Sequence, residues 1–231
     1  MISIENISKK FENGNGISNI SSEFRTGLIN MVIGKSGSGK TVLIKCISGL
    51  MIPDSGNVLF DGLSNAPQGE LGMLFQNSAL FDYLNVLQNV MFPLDMFSHE
   101  SYGQRKERAM FCLEKVGLAD AAGKMVGELS GGMQKRAAIA RAIVLNPKYL
   151  FCDEPNSGLD PITSRKIDEL LYGITNEFNI TTIINTHDIS SVRHIADRIL
   201  FMHDGHAEWQ GNREQFEQTE NSLLKEFISA L

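Results

Sequence analysis

The sequence is poor in cysteine, and its three cysteines form no recognisable pair. Cys46, Cys112 and Cys152 lie far apart, each among apolar neighbours, and no C-x-x-C motif is present. A lone cysteine in an apolar context usually behaves as a small hydrophobic residue. We therefore expect buried, reduced thiols of the kind found in cytosolic proteins.

Long apolar runs and an apolar leader are also missing. Met1–Phe11 carries Glu5, Lys9 and Lys10 in an alternating pattern, whereas a secretory leader has a charged start followed by an apolar block. No apolar run elsewhere reaches the ~20 residues needed to cross a bilayer. We expect a protein that is neither exported nor integral to a membrane.

Basic residues are fewer than acidic ones, and they form no cluster. Lys and Arg number 21 against 27 Asp and Glu, which gives a net charge of −6 and a pI near 5.4. The phosphate backbone of DNA or RNA would be repelled, so we expect no nucleic-acid partner. What is present is a core-forming share of 42% hydrophobic residues over 231 residues. This size favours a single α/β domain over residues 1–231 with a smaller lobe inserted into it.

One glycine-rich stretch carries the strongest chemical signal. Gly34–Thr41 reads Gly-Lys-Ser-Gly-Ser-Gly-Lys-Thr and lies between the apolar run Leu28–Ile33 and a helical pattern that starts at Val42. It matches the P-loop spacing G-x-x-x-x-G-K-[ST], whose glycines let backbone N–H groups turn toward phosphate oxygens. Lys40 would bridge the β- and γ-phosphates, and the Thr41 hydroxyl would ligate Mg²⁺. The stretch predicts that a nucleotide and Mg²⁺ are bound as one unit.

The remaining periodicity predicts a P-loop NTPase core, a mostly parallel sheet flanked by helices, with two additions. Ile2, Ile4 and Ile7 alternate and predict an edge strand, which a second strand around Ile17–Phe24 extends into a small antiparallel layer. Residues 77–130 are rich in phenylalanine and methionine at mostly helical spacing, which predicts an inserted helical subdomain. Such residues usually form core, but methionine also suits an adaptable groove for a partner's helix.

Acidic and basic groups follow two of the predicted strands. The apolar run Tyr149–Cys152 ends in Asp153 and Glu154, at the strand end where open parallel sheets bind ligands. Asp153 is suited to hold the Mg²⁺ shell and Glu154 to polarise a water for attack on a γ-phosphate, with a pair of surface acids as the alternative. His187 follows the strand Thr181–Thr186 and is either structural or a group that orients the water or the phosphate.

Two other segments carry groups suited to metal or phosphate. Gln76 follows a short strand, where its amide can ligate Mg²⁺, although an ordinary loop residue is the simpler interpretation. Ser130, Gly131 and Gly132 open a predicted helix and form a second anion site, and Asp160 caps the next helix. One chain does not need two anion sites for one γ-phosphate, unless the second serves a nucleotide held by another copy.

Taken in order, these motifs resemble the ATP-binding subunits of ABC transporters, from Phe11 to about Gly211. The resemblance implies a Mg-dependent ATPase that dimerises head to tail and drives a separate membrane permease docked near Gln76 and the helical lobe. It also accounts for two anion sites, because the signature at Leu129–Met133 of one copy grips the γ-phosphate bound by the other. It makes Glu154 the catalytic glutamate.

The same resemblance assigns the remaining roles residue by residue. His187 would be the switch histidine and Phe11 an adenine-stacking ring, although Phe11 alone fits a core or edge aromatic equally well. The implied Mg²⁺ ligands are Thr41, Gln76 and Asp153. The implied ATP contacts are Phe11, Gly34, Lys35, Ser36, Gly37, Ser38, Gly39, Lys40, Thr41, Val42 and Gln76, with Ser130, Gly131, Gly132 and Asp160 supplied by the second copy.

Three stretches are similar to the ATPase of bacterial Mce-linked phospholipid transporters: Gly72–Phe81, Leu129–Met133 and Asp160–Thr163. This narrower resemblance implies phospholipid as cargo, an Mce-domain lipid-binding partner, and a peripheral location on the cytoplasmic face of the inner membrane. Val42 and Asn156 depart from the family pattern, since a hydroxyl residue and a threonine are common there. The alternatives are the ATPase of another importer or exporter, a soluble ABC ATPase in assembly or repair, and a nucleotide-gated regulator with little turnover.

Overall fold

The computed structural model describes residues 1–12, 14–64 and 69–230, which form two β-sheets and the helices packed on them. The strands are β1 (Ile2–Lys10), β2 (Gly16–Phe24), β3 (Ile29–Ile33), β4 (Ser55–Phe60), β5 (Leu71–Leu74), β6 (Tyr149–Asp153), β7 (Thr181–Thr186), β8 (Arg198–His203) and β9 (His206–Asn212). The helices are α1 (Lys40–Ile47), α2 (Val86–Phe97), α3 (Tyr102–Lys115), α4 (Gly131–Ile143), α5 (Pro161–Phe178), α6 (Ile189–Ile195), α7 (Arg213–Glu217) and α8 (Ser222–Ser229), with 3₁₀ turns at Ala119–Ala121 and Val126–Glu128.

The larger sheet has the strand order β5-β6-β7-β3-β8-β9. Strands β5 to β8 are parallel to their neighbours, and β9 pairs antiparallel with β8 at one edge. Strands β3, β6 and β7 are buried along their whole length because both faces of the sheet are covered. One face packs on α1 and the smaller sheet, and the other packs on the helices from α2 onward. The predicted α/β core is confirmed.

The smaller sheet corrects one expectation from the sequence. Its order is β2-β1-β4, so β1 is the central strand and not an edge strand. Ile2, Ile4 and Ile7 are buried as the alternation predicts, and Ile2 pairs with both Phe24 and Phe60. Alternation marks which face of a strand is buried, but it does not reveal how many neighbours the strand has.

Helices α2 and α3 supply the helical content predicted for residues 77–130. Both begin with a capping box, at Asn85 with Gln88 and at Ser101 with Gln104. Their buried side chains share one core with α4 and the larger sheet, and the division into a separate subdomain stays a prediction. Within the described ranges, no helix combines the length and the hydrophobicity that a membrane span requires.

Asn89 of α2 fixes the loop that precedes this helix. Its side chain is fully buried, and its Oδ1 accepts a hydrogen bond from the Phe81 N–H at 2.8 Å. Its Nδ2 lies 3.1 Å from the carbonyl oxygens of Phe81, Leu84 and Asn85. The amide therefore satisfies backbone groups of a tight turn that have no water to replace it.

Replacing Asn89 with leucine should leave those backbone groups unpaired in the core. We expect Asn89→Leu to lower the free energy of unfolding by about 3 kcal/mol, measured by urea denaturation. Asn176 lies exposed on α5, and Asn176→Leu serves as the control, expected to change stability by less than about 0.5 kcal/mol. Equal effects of the two variants would contradict the structural role of Asn89.

Candidate functional site

The P-loop connects β3 to α1, and its glycines are required by close packing. Gly34 has φ +150°, and a Cβ there would lie 2.2 Å from the Met202 carbonyl oxygen. Gly39 has φ +100°, and a Cβ there would lie 2.5 Å from Cγ2 of Ile17. At Gly37, by contrast, a Cβ would meet no atom within 4 Å. The loop is thus held tightly against the protein on one side and open on the other.

Lys40 holds a buried ammonium group inside this loop. Its Nζ donates to the carbonyl oxygens of Gly34 at 2.7 Å and Lys35 at 3.0 Å. Burial lowers the pKa of Lys40, and the nearby carboxylates of Glu154 and Asp153 oppose that shift. The cation is therefore fixed by the backbone of the loop that it serves, with acidic groups close by.

Thr41, Asp153 and Asn185 form a cluster of oxygen ligands and hydrogen-bond donors beside Lys40. Thr41 Oγ1 donates to Asp153 Oδ1 at 3.3 Å, and Asn185 Nδ2 donates to Thr41 Oγ1 at 3.3 Å. Among the described residues, the buried Ser38 hydroxyl has no hydrogen-bond partner. Hydroxyl and carboxylate oxygens are the ligands that Mg²⁺ prefers, and a free buried hydroxyl beside an open loop suits a phosphate oxygen. These residues fit a Mg-nucleotide.

Glu154 and His187 lie together at the ends of adjacent strands β6 and β7. The Glu154 N–H donates to the Asn185 backbone oxygen at 3.1 Å and to its side-chain oxygen at 2.9 Å. Glu154 adopts φ +48°, a left-handed conformation that is unfavourable for a glutamate unless its surroundings enforce it. His187 Nδ1 is 3.0 Å from the Glu154 carboxylate. The histidine can thus orient the carboxylate that faces the P-loop.

One cavity of about 560 Å³ brings most of the predicted nucleotide site together. Gln76 also reaches this cavity, and its Nε2 donates to Ser157 Oγ at 3.3 Å. The wall includes Phe227 and Ala230 at the end of α8, where Glu226 forms a 2.8 Å ion pair with Lys35. The lining residues are Lys35, Ser36, Gly37, Gly39, Lys40, Thr41, Val42, Gln76, Glu154, His187, Phe227 and Ala230.

The second predicted anion site lies apart from the first. Ser130 caps α4, and Ser130, Gly131, Gly132 and Asp160 line a different cavity of about 570 Å³. Asp160 caps α5, accepting hydrogen bonds from the Ile162 and Thr163 N–H groups at 3.0 Å. The two anion sites therefore share no lining residue within one chain.

Three predicted ATP contacts do not line these cavities: Gly34 and Ser38, which lie within the P-loop, and Phe11, which lies outside it. Phe11 lies directly after β1, and its side chain is 37% exposed. Lys10, the residue before Phe11, pairs with Gly16 across β1 and β2. Gly16 in turn lies close to the P-loop, because a Cβ on Gly39 would lie 3.5 Å from the Gly16 carbonyl oxygen. An exposed ring near the start of α1 is compatible with adenine stacking, which stays a prediction.

Asn185, which contacts both Thr41 and Glu154, was not predicted as a site residue from the sequence. The available signal was an amide within an apolar, β-branched strand, where a buried polar group needs partners. The contribution of α8 was also not predicted, since an amphipathic helix does not reveal which surface it covers.

Comparison with known proteins decides the family. The sequence profile of the ABC transporter family matches residues 17–157. The chain belongs to this family. It is a Mg-dependent ATPase that binds ATP, and cassettes of this family dimerise and work with membrane permeases.

Among individual proteins, the cassette is 36% identical to the intermembrane phospholipid transport ATP-binding protein MlaF of Haemophilus influenzae, over 99% of this chain and 90% of the relative. It is 37% identical to the methionine import ATP-binding protein MetN of Caulobacter vibrioides, over 93% of this chain and 68% of the relative. Its structure is similar to the dimeric post-hydrolysis state of the cassette MJ0796 bound to ADP and Pi. That match has a TM-score of 0.82 and 30% identity, and it covers 92% of this chain and 99% of the other.

A buried polar cluster supports the segment that follows Glu154 in the cassette. Asn156 Nδ2 donates to Asp168 Oδ1 at 2.7 Å and to Ser191 Oγ at 3.0 Å, which links the segment to α5 and α6. Among the described residues, Asn156 Oδ1 is buried without a partner. Burial raises the pKa of the Asp168 carboxyl, and hydrogen bonds from Ser191 and Asn156 oppose the rise. The Asn156 side chain therefore links the segment after Glu154 to two helices.

The raised pKa of Asp168 predicts a pH-dependent stability. In the unfolded chain the carboxyl ionises near pH ~3.9. The folded protein binds more protons above that value, so this group's contribution to stability falls as pH rises through the raised pKa. Asp168→Asn cannot ionise, and its stability relative to wild type should increase from about pH 4 toward neutrality, measured by urea unfolding.

The control for this experiment is Asp82→Asn, since Asp82 is exposed. Its stability difference from wild type should stay nearly constant over the same pH range. A constant difference for Asp168→Asn as well would contradict the effect assigned to burial.

Proposed function

We propose that two copies of this cassette form a head-to-tail homodimer with two shared ATP sites. The observation that carries this proposal is the separation of the two phosphate-binding elements, because the P-loop and the Ser130 end of α4 line different cavities. A head-to-tail pair sets Ser130, Gly131, Gly132 and Asp160 of one copy opposite the Lys40 loop of the other. Each site is then complete only in the dimer.

Within one copy, the P-loop backbone and Lys40 hold the phosphates of ATP. Thr41, Asp153 and Gln76 supply the oxygen ligands for Mg²⁺, which supports binding as a single Mg-nucleotide unit. A Mg²⁺ ion held by these residues would supply positive charge that offsets the negative charge of the phosphate oxygens. Phe11 stacks on the adenine from the edge of the site.

Glu154 acts as the proton acceptor in hydrolysis. Its carboxylate takes a proton from the water that attacks the terminal phosphorus, and the P–O bond to ADP breaks. His187 Nδ1, at 3.0 Å, holds the carboxylate in place, and Asn185 holds the Glu154 backbone. Two hydrogen-bonded neighbours thus restrict the position of one reactive group.

The glutamine variant tests this assignment. Glu154→Gln keeps the size of the side chain and one acceptor oxygen but removes its basicity, so ATP hydrolysis should fall by about 100-fold or more while ATP binding persists. Because bound ATP is no longer consumed, the variant should accumulate as a dimer with ATP and Mg²⁺ in size-exclusion chromatography.

Glu220→Gln is the control, since Glu220 is exposed and pairs only with Lys225 in the described contacts. It should retain wild-type turnover and remain monomer-rich after hydrolysis. Wild-type turnover in Glu154→Gln would remove Glu154 from the role of proton acceptor.

Phospholipid, or a related lipid, is the proposed cargo of the transporter. The support is the similarity to MlaF across 99% of this chain, which includes the stretches Gly72–Phe81, Leu129–Met133 and Asp160–Thr163. An Mce-domain lipid-binding protein is the corresponding additional partner. The similarly high identity to MetN makes import of a small solute the second candidate.

The permease docks near Gln76 and the helical segment 77–130 in this proposal. Several large apolar side chains are exposed there, and such exposure is characteristic of interaction surfaces when the side chains lie together. Docking at this position places the cassette on the cytoplasmic face of the cell membrane as a peripheral subunit. The exposed side chains are Phe75, Tyr83, Met96, Phe97, Tyr102 and Phe111.

The cargo and the docking position are tested by affinity purification from native membranes in mild detergent, with mass spectrometry of proteins and lipids. We expect a permease, an Mce-type subunit and phospholipid to copurify. Tyr83→Ser with Phe97→Ser should lose the permease while ATP binding persists. Ile52→Ser is the matched control, because Ile52 is 82% exposed but lies in the segment before β4.

Recovery of a permease of another class would support the ATPase function in transport but would reject lipid as the cargo. Recovery with soluble partners only would favour an ABC ATPase of assembly or repair. Retention of the permease by the Tyr83 and Phe97 double variant would reject the proposed docking position.

A further inference from the structure

Helix α4 carries two basic side chains that reach the backbone of the Gln76 loop. Lys135 is 5% exposed, and its Nζ donates to the Gln76 carbonyl oxygen. Arg141, six residues later on the same helix, donates to the carbonyl oxygens of Ser78 at 2.8 Å and Ala79 at 2.7 Å. Two side chains of one helix thus make hydrogen bonds to three backbone carbonyl oxygens of one short loop.

Both basic groups depend on these carbonyl oxygens. Burial lowers the pKa of Lys135 and of Arg141, and the carbonyl oxygens that accept their hydrogen bonds offset part of the cost of burying each charge. In the parts of the chain that the structure describes, neither side chain takes part in an ion pair within 4.0 Å. The negative charges that act on Lys135 over a longer range are those of Asp153 and Glu154.

The loop is bent into an unusual conformation where Arg141 binds it. Ser78 and Ala79 are consecutive non-glycine residues with φ +58° and +49°. Such backbone geometry persists only where surrounding contacts enforce it. Arg141 supplies those contacts through two donors of one planar group, and its guanidinium lies 5.9 Å from the centre of the Phe81 ring.

We propose that Lys135 and Arg141 are positioning residues that set Gln76 relative to α4, the helix that Ser130 caps. The carbonyl oxygen that accepts from Lys135 belongs to Gln76 itself. By fixing this part of the backbone, α4 determines where the Gln76 side chain enters the nucleotide cavity. The same helix presents Ser130 to the other anion site. This inference rests on the proposed role of Gln76 as a Mg²⁺ ligand.

This arrangement predicts a specific effect on the metal dependence of catalysis. A residue that positions a metal ligand should alter the Mg²⁺ dependence of ATPase activity and leave untouched the nucleotide affinity that the P-loop supplies. A residue that only stabilises the fold would alter the melting temperature without this selectivity. The Mg²⁺ dependence therefore separates a positioning role from a merely structural one.

The test is a double-mutant cycle of Lys135→Met and Gln76→Ala in the full chain. Each single variant should raise the Mg²⁺ concentration for half-maximal ATPase activity about tenfold, because the loss of a group that orients a metal ligand commonly weakens metal binding by this order of magnitude. Because Lys135 acts through Gln76, the double variant should shift no further than Gln76→Ala alone. Binding of a fluorescent ATP analogue in EDTA should be unchanged in all three.

Conservative variants and a charge-matched control accompany the cycle. Lys135→Arg and Arg141→Lys retain a donor and should give smaller shifts, and Lys135→Gln provides the same readout if Lys135→Met fails to fold. Lys148→Met is the control, since Lys148 pairs with Glu70 before the start of β6, at the opposite end of the strand from Glu154. It should show the wild-type Mg²⁺ dependence.

Two outcomes overturn the inference in different ways. A normal Mg²⁺ dependence in Gln76→Ala refutes the metal role of Gln76 and the inference together. If the Mg²⁺ dependence is shifted in Gln76→Ala but not in Lys135→Met, the role of Gln76 stands. The same holds if the shift in the double variant is the product of the two single shifts. Either of these results refutes the positioning role alone.

Discussion

The register between parallel strands is the constraint on which the nucleotide site depends. Ile33 pairs with Thr186, and Asp153 pairs with Asn185, so β3, β6 and β7 end at nearly the same level. The residues that follow these strands are consequently neighbours in space, although they are far apart in sequence. A slip of one residue would turn Asp153 away from Thr41 and move Glu154 away from His187. Apolar strands buried on both faces prevent that slip, because any change in register would also disrupt two cores.

The protein is acidic overall, yet its ligand ATP is also negatively charged. The local geometry of the proposed site explains how both can hold. The net charge of −6 governs long-range behaviour such as the repulsion of nucleic acid. In the proposed site, phosphate binding instead depends on fixed donors at short range: the turned backbone of the P-loop, the buried Lys40, and the Ser38 hydroxyl, which has no partner among the described residues. Asp153 and Glu154 add negative charge beside Lys40, which suits a site that also receives a divalent cation.

Much of the fold and the site could be predicted because the relevant signals are local. The P-loop spacing, the capped start of α5 at Asp160 and the acidic end of β6 are readable within a few residues, and the structure places them as expected. The central position of β1 could not be predicted, because pairing on its second side depends on β4, more than forty residues away. The Lys135 contact with Gln76 spans 59 residues and depends on how α4 packs, which periodicity does not encode. The left-handed backbone of Ser78 and Ala79 carries no glycine to announce it.

Helix α8 forms part of the wall of the cavity beside the P-loop. Phe227 packs against Phe201 with ring centres 5.4 Å apart, and Glu226 reaches back 191 residues to pair with Lys35 in the P-loop. A substitution that shifts α8, such as the loss of the Phe227 ring, would therefore change the shape of this cavity without altering any residue of the P-loop. The dimensions of the cavity are thus set in part by a helix whose sequence carries no phosphate-binding motif.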